Sequence, residues 1–597
     1  MREWNLRPGD PLALTLAADY RLCTPDPWND HVWEMEIGGG DPAALAVCTT
    51  YGLRARRMRI FPRFLHQGRV ICDPDEYPVR PCLRAFAPNF MEVVYEPVQD
   101  LQVRAETWVP DSHTIAGRLT CLNQSREPIR LKFELCGQLS PLDGEGLRNI
   151  MVQSSNILAG KTVDLAPVIF LTGGPIPVVG SLTGLALDLA MAVGGERSLT
   201  WVQAALESRD ESFEHARQMA ARPWEAERAR LELVDRAQTI DIKCGDPDWE
   251  TAFALSQKQA FSLLLGKPGA VNGVSLVSSR QPDTGWLPRE PGITPVMETD
   301  APSALDCQYM MNALAGCPEV GKGLLLNLLA GMGEEGQATP EPGRRSNSAW
   351  LAAPLLAGMA WDVHQRKSDP EFLGEVFPRL EKFLQRWRDG EHDRDGDGFP
   401  EWDHLVQSGM MEDASQPPTG TQDRAEGDIT CEETPALAAM LYRDYRALAE
   451  MAGALGMKEL EEDLRRRRVR LGEMVEECWD DGSVLYLRRD RESHHSPAGR
   501  ELGNLRGAGK LEFQLAFPFP TRVVVEAHLQ EQRGKEFSVC LVGSNREGSL
   551  AESFSRGDFH WSPVGGKVTS KHLYTEITLR EVDGLGKKDR GSLWIMD

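Results

Sequence analysis

The sequence predicts a multidomain chain of α and β structure, with an N-terminal β-sandwich, a central domain of helical hairpins and a C-terminal β-rich segment. Three observations predict this order. Short β-branched or aromatic runs alternate with turn residues up to about residue 205, a helical period dominates between about 245 and 486, and strand-like runs return after about 490. A length of 597 residues is sufficient for several domains.

Residues 1–205 form the first predicted domain. Runs such as 104–109 and 115–122 have the composition of strands, and no helical period separates them. Many strands at such intervals indicate a large β-sandwich. A charged helical segment with apolar positions such as Trp224 and Leu231 follows, and residues 206–243 are therefore predicted to be a connector helix.

Residues 244–490 form the predicted helical domain. In the run that begins at Thr434, this residue is a candidate N-cap, Pro435 suits the first turn and Gly456 ends the apolar stripe. Consecutive helices of this length predict stacked helical hairpins, and residues 491–597 are predicted to be a β-rich domain. The predicted helical runs are about 247–265, 303–315, 318–332, 347–366, 370–388, 434–455 and 457–478.

Composition excludes several classes of protein. A net charge of −23 argues against a nucleic-acid or acidic-membrane partner, because phosphate binding needs concentrated Lys and Arg. The apolar region 166–195 is interrupted by glycine, proline and aspartate, so no transmembrane span is expected. The polar start of the chain lacks a signal-peptide pattern, which predicts a cytoplasmic protein. The 12 cysteines occur singly, without the CxxC pairs of zinc ribbons, and are expected to be small buried residues.

Residues 392–404 have the composition of a cation-binding loop. Carboxylates recur at alternate positions, and Gly398 permits a sharp turn. The loop is not a true EF-hand, because His404 occupies the position of the closing glutamate. An acidic turn that binds nothing is the alternative, but alternating carboxylates repel one another unless a cation joins them. The predicted ligands of a structural Ca²⁺ are Asp393, Asp395, Asp397, Phe399 and Glu401.

Four motifs resemble those of bacterial glycosidases with an (α/α)6 toroid. They are the segment 279–286, the acidic segment 393–403, the segment 407–413 and the segment 432–435. With the domain order, they resemble the processing α-glucosidases (glycoside hydrolase family sixty-three) and the amylo-α-1,6-glucosidase or glycogen-debranching-like proteins. The resemblance implies an (α/α)6-type toroid over 244–490, an oligosaccharide substrate, and a cation loop that braces one wall of the active site.

The resemblance also implies a general acid shortly after the Ser408-Gly409 step. Glu412 and Asp413 are both candidates, since relatives place the acid one residue closer and follow it with Asn-Pro or Tyr-Pro. Hydrolysis with inversion needs a second carboxylate about 6.5–9.5 Å away to activate water. In the resembled group this base lies near the final helices, and seven predicted helices cannot close a ring of twelve. If 491–597 is an insertion, the base is expected beyond residue 597.

Other side chains have a functional and a structural interpretation. Glu401 could be a catalytic base, although its spacing favours a cation ligand. Asp403 could contact a sugar or support the ion, Glu433 could serve the site or only the helix dipole, and Asp283 could hold a turn. Indole rings suit the apolar faces of pyranose rings. The predicted sugar contacts are Trp402, Asp403, Asp283, Trp286 and Glu433.

The sequence therefore predicts a glycoside hydrolase that acts on α-linked gluco-oligosaccharides by an inverting two-carboxylate mechanism. A glycoside phosphorylase of similar architecture is one alternative, because direct attack by phosphate needs only one protein carboxylate. A truncated or non-catalytic carbohydrate-binding protein is the other. The sequence does not specify the sugar, the linkage or the oligomeric state.

Overall fold

The N-terminal region is a β-sandwich, as its alternating pattern predicts. The computed structural model describes residues 4–5, 14–26, 29–178, 180–266, 274–277, 279–283, 302–338, 350–409, 429–496, 501–529, 536–562 and 565–595. The strands of the first region are β1 (Trp4–Asn5), β2 (Thr15–Leu16), β3 (Trp33–Gly39), β4 (Ala44–Thr49), β5 (Ala55–His66), β6 (Arg69–Ile71), β7 (Val79–Ala87), β8 (Phe90–Val98), β9 (Leu101–Asp111), β10 (Thr114–Asn123), β11 (Ile129–Pro141), β12 (Gly144–Val152), β13 (Ser155–Thr162), β14 (Ala166–Leu171), β15 (Ile176–Pro177), β16 (Gly184–Met191) and β17 (Glu196–Leu206).

These strands form two antiparallel sheets that share one apolar core. One sheet has the order β1-β7-β8-β9-β10-β17-β14-β13-β12, and the other has the order β15-β16-β11-β5-β4-β3-β2, with β6 paired to β5. Met91 and Val93 of the first sheet and Phe64 and Phe133 of the second are buried in the same cluster. Burial of one face of each sheet is the main stabilising contribution of such a sandwich.

The connector differs from the single helix that the sequence predicts. It forms two helices, α1 (Arg209–Ala220) and α2 (Trp224–Gln238), which are separated at Pro223. Proline disfavours the helical conformation of the residue before it, and it begins the second helix instead of continuing the first. Ser208 accepts a hydrogen bond from the Glu211 N–H and caps α1.

The helical region contains a helix within each predicted run, but the predicted run 347–366 is wrong over 350–355, which are not helical, and α6 begins only at Leu356. The described helices after the connector are α3 (Pro247–Ser262), α4 (Ala304–Ala313), α5 (Pro318–Ala330), α6 (Leu356–Arg366), α7 (Pro370–Arg386), α8 (Pro435–Ala454) and α9 (Lys458–Glu477). Thr434 is the N-cap residue of α8, as predicted, although its side chain makes no capping hydrogen bond. Gly456 has a φ of 80°, which is the left-handed conformation expected after a helix. No helix within the described ranges is long and apolar enough to cross a membrane.

Short strands and a second sandwich complete the chain. Val525 and Leu541, from different sheets, are buried in one cluster, so the two sheets of the last hundred residues enclose a core. The short strands are β18 (Leu264–Gly266), β19 (Val274–Leu276), β20 (Glu432–Glu433), β21 (Trp479–Asp480), β22 (Leu485–Tyr486) and β23 (Arg489–Asp490). The second sandwich contains β24 (Glu501–Arg506), β25 (Gly509–Thr521), β26 (Val523–His528), β27 (Ser538–Asn545), β28 (Gly548–Ser555), β29 (His560–Ser562), β30 (Gly565–Thr569), β31 (Tyr574–Asp583) and β32 (Arg590–Ile595).

The predicted fold class is confirmed in its order of β-sandwich, helical region and β-rich segment. The chain divides into two compact units, one of residues 1–302 and 309–327, the other of residues 303–308 and 328–597. The predicted boundaries at 205, 243 and 490 stay a prediction. The cysteines are free thiols, and most are buried, as their single spacing predicts.

A buried aspartate of α8 fixes the start of α6. Asp444 has no exposed surface, and its carboxylate accepts hydrogen bonds from the backbone N–H groups of Ala357 at 3.1 Å and Gly358 at 2.7 Å. Burial raises the pKa of Asp444 to about 6, although these hydrogen bonds favour the ionised form. The first-turn N–H groups of a helix have no partner within the helix, so this side chain supplies one from outside.

We expect Asp444→Ala to lower the free energy of unfolding by about 2–4 kcal/mol, because two buried N–H groups lose their acceptor. Urea denaturation of the whole chain measures this change. Arg446→Ala, at an exposed position of the same helix, is the matched control and should change the stability by less than about 0.5 kcal/mol. Equal effects of the two substitutions would contradict the capping role.

Candidate active site and acidic loop

Residues 393–403, hereafter the acidic loop, follow α7 and close on themselves. The Glu401 N–H donates to the His392 carbonyl at 2.7 Å. Gly396 and Gly398 have φ values of 76° and 94°, a conformation that side chains with a Cβ atom rarely adopt. Glu401 then forms a β-bridge with Glu433 of β20. The loop is therefore held at both ends by backbone hydrogen bonds.

The aspartates of the acidic loop accept hydrogen bonds from its own backbone. Asp397 accepts from the Phe399 N–H at 2.7 Å, and Asp395 accepts from the Asp397 N–H at 3.2 Å. Burial raises the pKa of Asp393 and of Asp397, and their neighbouring carboxylates act in the same direction. The loop thus concentrates negative charge in a partly buried position, where an unpaired charge is costly.

Arg489 supplies part of the compensating charge. It lies opposite Glu433 in the pairing of β23 with β20, and its guanidinium Nε donates to the Glu433 carboxylate. Its Nη2 is 3.2 Å from Asp397 Oδ2, and the guanidinium carbon is 4.7 Å from the centre of the Phe399 ring. One buried arginine therefore joins the acidic loop to β20 and β23.

Four potential cation ligands converge at this point. The ligand atoms of Asp395, Asp397, Glu433 and His494 lie within 4.8 Å of one another. Glu433 is fully buried, and its Oε1 has no hydrogen-bond partner among the described residues. Burial raises the pKa of Glu433 to about 9, against the opposing effect of Arg489. A divalent cation would satisfy the orphaned oxygen and offset the repulsion.

This cluster differs from the predicted ligand set. Asp395 and Asp397 belong to it, but Asp393 and Glu401 do not. Glu401 Oε2 pairs with Arg394, while its buried Oε1 has no hydrogen-bond partner among the described residues, and its predicted role as a cation ligand stays a prediction. His494 was not predicted as a ligand, whereas ion binding was one of the alternatives for Glu433. Both residues are far from the loop in sequence, and the Glu401–Glu433 bridge and the pairing of β20 with β23 bring their segments to it.

Arg394 pairs with two other carboxylates of the acidic loop, those of Glu401 and Asp403. The Glu401 side chain is completely buried and accepts from the Arg394 N–H at 3.2 Å and Nη1 at 3.1 Å. Burial raises the pKa of Glu401 to about 7, although Arg394 opposes this shift. Asp403 contacts Arg394 Nη2 at 2.5 Å and His392 Nδ1 at 2.8 Å. Burial would raise the pKa of Asp403, but these hydrogen bonds outweigh it and lower the pKa.

Two aromatic features lie near the loop: the buried ring of Trp402 and a stack of Trp350 on His404. Trp402 is 3% exposed and packs edge-on against Trp387 at 5.5 Å between ring centroids. At this burial Trp402 exposes little ring surface to a sugar, and its role as a sugar contact stays a prediction. Trp350 is partly exposed and stacks on His404, with ring centroids 4.1 Å apart and planes 8° from parallel.

The remaining predicted residues lie elsewhere or outside the described ranges. Asp283 is exposed to solvent near the sandwich, where the preceding Pro282 carbonyl accepts from the Thr50 hydroxyl at 2.7 Å. Arg280 of the same motif is buried and makes two hydrogen bonds of 2.8 Å to Asp30. This motif therefore anchors the chain within the first unit. The predicted residues Trp286, Glu412 and Asp413 lie outside the described residues.

Comparison with known proteins supports a glycosidase-type domain. Residues 292–508 match the model of the mannosylglycerate hydrolase MGH1-like glycoside hydrolase domain. This match includes the acidic loop, β20 and β23, and it supports the resemblance of this part of the chain to glycoside hydrolases. Among curated proteins, none matches this sequence.

Two solved structures are similar at low identity. A putative kojibiose phosphorylase from the human microbiome has a TM-score of 0.37 and 10% identity, over 79% of this chain and 64% of that one. A bacterial glucoamylase complexed with acarbose has a TM-score of 0.40 and 8% identity, over 80% of this chain and 71% of that one. The chain thus spans less than two thirds of the length of the phosphorylase.

We expect Arg394→Met to destabilise the protein by about 3 kcal/mol, because it leaves the buried Glu401 carboxylate without a counter-charge. Thermal and urea unfolding at neutral pH measure the change. Arg388→Met, at an exposed position just before the loop, is the control. If the two variants are equally stable, the ion pair is not what holds this part of the loop.

Proposed function

We propose that the chain is a glycoside hydrolase that acts on α-linked gluco-oligosaccharides by an inverting two-carboxylate mechanism. The match of residues 292–508 to a glycoside hydrolase domain carries this proposal. The substrate class and the stereochemistry rest on the resemblance of the motifs. The cytoplasmic location stays a prediction.

In this proposal Asp413 or Glu412 is the general acid. A protonated carboxyl group donates its proton to the leaving oxygen, while a second carboxylate, at about 6.5–9.5 Å, removes a proton from the attacking water. The general base is not assigned to a residue of this chain. Only one of the two neighbouring acids can hold the proton at the leaving oxygen, so substitution of each in turn identifies it.

The acidic loop supports this role because it anchors the start of the candidate acid segment. The Gln407 side-chain oxygen accepts from the backbone N–H groups of Asp403 and His404, both at 2.7 Å. Its amide nitrogen donates to the Asp403 carboxylate at 3.1 Å. Gln407 precedes Asp413 by six residues, so the loop restricts where these acids can reach. Restricting a catalytic group in this way lowers the entropic part of the barrier.

The Trp350 and His404 stack is the sugar platform that we propose in place of Trp402. The rings are parallel and partly exposed, and they lie next to the Asp403 and Gln407 hydrogen bonds. A pyranose ring presents an apolar face to an aromatic ring and leaves its hydroxyl groups for polar neighbours. The end of the acidic loop therefore offers both kinds of contact.

We also propose that Asp395, Asp397 and Glu433 hold a structural Ca²⁺. A cation binds the ionised carboxylates, and in that form these three groups and the guanidinium of Arg489 leave two uncompensated negative charges, which a divalent cation would balance. Carboxylate oxygens are the ligands that Ca²⁺ prefers. The fourth group, His494, suits a transition metal better, so the choice of ion is part of the test.

Substitution of the candidate acids tests the catalytic assignment. We expect Asp413→Asn or Glu412→Gln to lower kcat by about 10²–10⁴-fold, because the acid contributes proton transfer in the transition state. The assay is ¹H NMR of α-linked gluco-oligosaccharides without phosphate, and inversion should yield the β-anomer first. Asp423→Asn, in the same segment, is the control.

Three outcomes of this assay would contradict the proposal. Turnover that requires phosphate and releases a sugar phosphate would indicate a phosphorylase. Sugar binding without turnover would indicate a non-catalytic binding protein. Full activity of both variants would place the general acid elsewhere in the chain.

Removal of one proposed ligand tests the cation. We expect Asp395→Ala to lower the Tm more in Ca²⁺ than in chelator, since an ion that binds only the native state stabilises it by mass action. Differential scanning calorimetry in Ca²⁺, Mn²⁺, Zn²⁺ and EGTA measures this difference. Glu391→Ala, at the exposed residue before the loop, is the control. An equal loss in every condition would show that the cluster binds no ion.

A further inference from the structure

A polar cavity of about 220 Å³ lies in the first compact unit, outside the candidate active site. Its wall is formed by the end of β9, the segment around Leu22 and the start of α2. Typical pockets for drug-sized ligands are about 300–1,000 Å³, so this cavity suits a smaller molecule. It is large enough for several water molecules, each of which occupies about 30 Å³ in the liquid.

One wall of the cavity presents a buried acceptor. Asn89 lines the cavity, is 1% exposed and donates its amide nitrogen to the Val109 carbonyl at 3.3 Å. Its Oδ1 is buried and accepts no hydrogen bond from the described residues. A buried amide oxygen without a partner is costly, so a donor from a molecule in the cavity would stabilise it.

Charged groups of both signs also line the cavity. Glu227 lies 3.7 Å from Arg222 and 3.9 Å from Arg230, so both guanidinium groups share one carboxylate. Asp111 is fixed by His215 at 3.1 Å and by the His113 N–H at 3.0 Å. Two cations and two carboxylates balance, which favours a neutral ligand that can both donate and accept hydrogen bonds.

Trp108 adds an apolar wall beside these groups. It lines the cavity, is 7% exposed and is held edge-on by Trp224 at 5.9 Å between ring centroids. An apolar ring next to hydrogen-bonding groups matches a molecule with an apolar face and several hydroxyl groups. Such hydroxyl groups could take the places of the water molecules that would otherwise fill the cavity.

We propose that this cavity binds a neutral monosaccharide or a polyol of similar size. Its hydroxyl groups would donate to Asn89 and Glu227 and accept from Arg222. None of the residues that line the cavity belongs to the acidic loop or to the proposed catalytic pair, so the protein would recognise a small sugar through residues that the proposed hydrolysis does not use. This inference does not rest on the proposed function.

Ligand-observed NMR titration of the full chain tests the site with D-glucose, D-mannose and glycerol as probes. A ligand of this size should bind with a dissociation constant on the order of 1 mM. We expect Arg222→Gln and Glu227→Gln each to weaken binding by about tenfold, the effect of losing one charged hydrogen bond. Arg217→Gln, at an exposed position of α1, should leave binding unchanged.

Hydrogen–deuterium exchange locates the binding. Saturating sugar should protect the amides of 101–111 and 222–230. Binding that Arg222→Gln and Glu227→Gln leave intact, or protection confined to 392–435, would place the sugar elsewhere and overturn the proposal. Binding of D-glycerate or inorganic phosphate in preference to every neutral probe would show an anion site, and no binding of any probe would show a cavity filled by water only.

Discussion

The contact of Arg489 with Glu433 is the interaction on which the architecture around the acidic loop depends. It joins two short strands, and the same guanidinium reaches Asp397 and covers the Phe399 ring. Both partners of the ion pair are almost fully buried. Breaking such a pair by removing one partner costs about 3–5 kcal/mol, because the other charge stays buried without compensation.

Two arginines divide the negative charge between them. Arg394 pairs with Glu401 and Asp403 on one side, while Arg489 pairs with Glu433 and Asp397 on the other. The contacts of Arg394 fix the end of the acidic loop that precedes the candidate acids in sequence. Around Arg489, the carboxylates of Glu433, Asp397 and the nearby Asp395 outnumber the single guanidinium group, and there we propose the cation. The acidic loop is thus both a structural connection and a candidate ion site.

The sequence predicts the features of the structure that depend on residues close to one another along the chain. The helical periods gave α7, α8 and α9 within one or two residues, because apolar stripes and turn residues are local signals. The alternating carboxylates of the loop were also visible, and they indicated where charge concentrates. Pro223 is also a local signal, because proline disfavours the helical conformation of the residue before it, yet the helical pattern alone predicts one connector helix where the structure has two.

What the sequence could not predict depends on contacts between distant segments. Glu433 reaches the loop through its β-bridge with Glu401, and the pairing of β20 with β23 brings the segment of His494 beside it. No spacing in the sequence indicates either contact. Trp402 resembled an exposed sugar platform because its neighbours in sequence are acidic, yet Trp387 buries it. Glu401 has the spacing of a ligand, but Arg394, a cation in the same loop, pairs with its Oε2, a contact that the ligand spacing does not indicate.

A double-mutant cycle of Arg489→Met and Glu433→Gln tests the central claim most directly. Urea unfolding of the wild type, both single variants and the double variant gives the coupling free energy of the pair. The buried ion pair predicts that the two substitutions together cost less than the sum of the separate losses, by more than about 1.5 kcal/mol. Additive losses would show that Arg489 and Glu433 act independently, and would contradict the role of this contact in holding the loop.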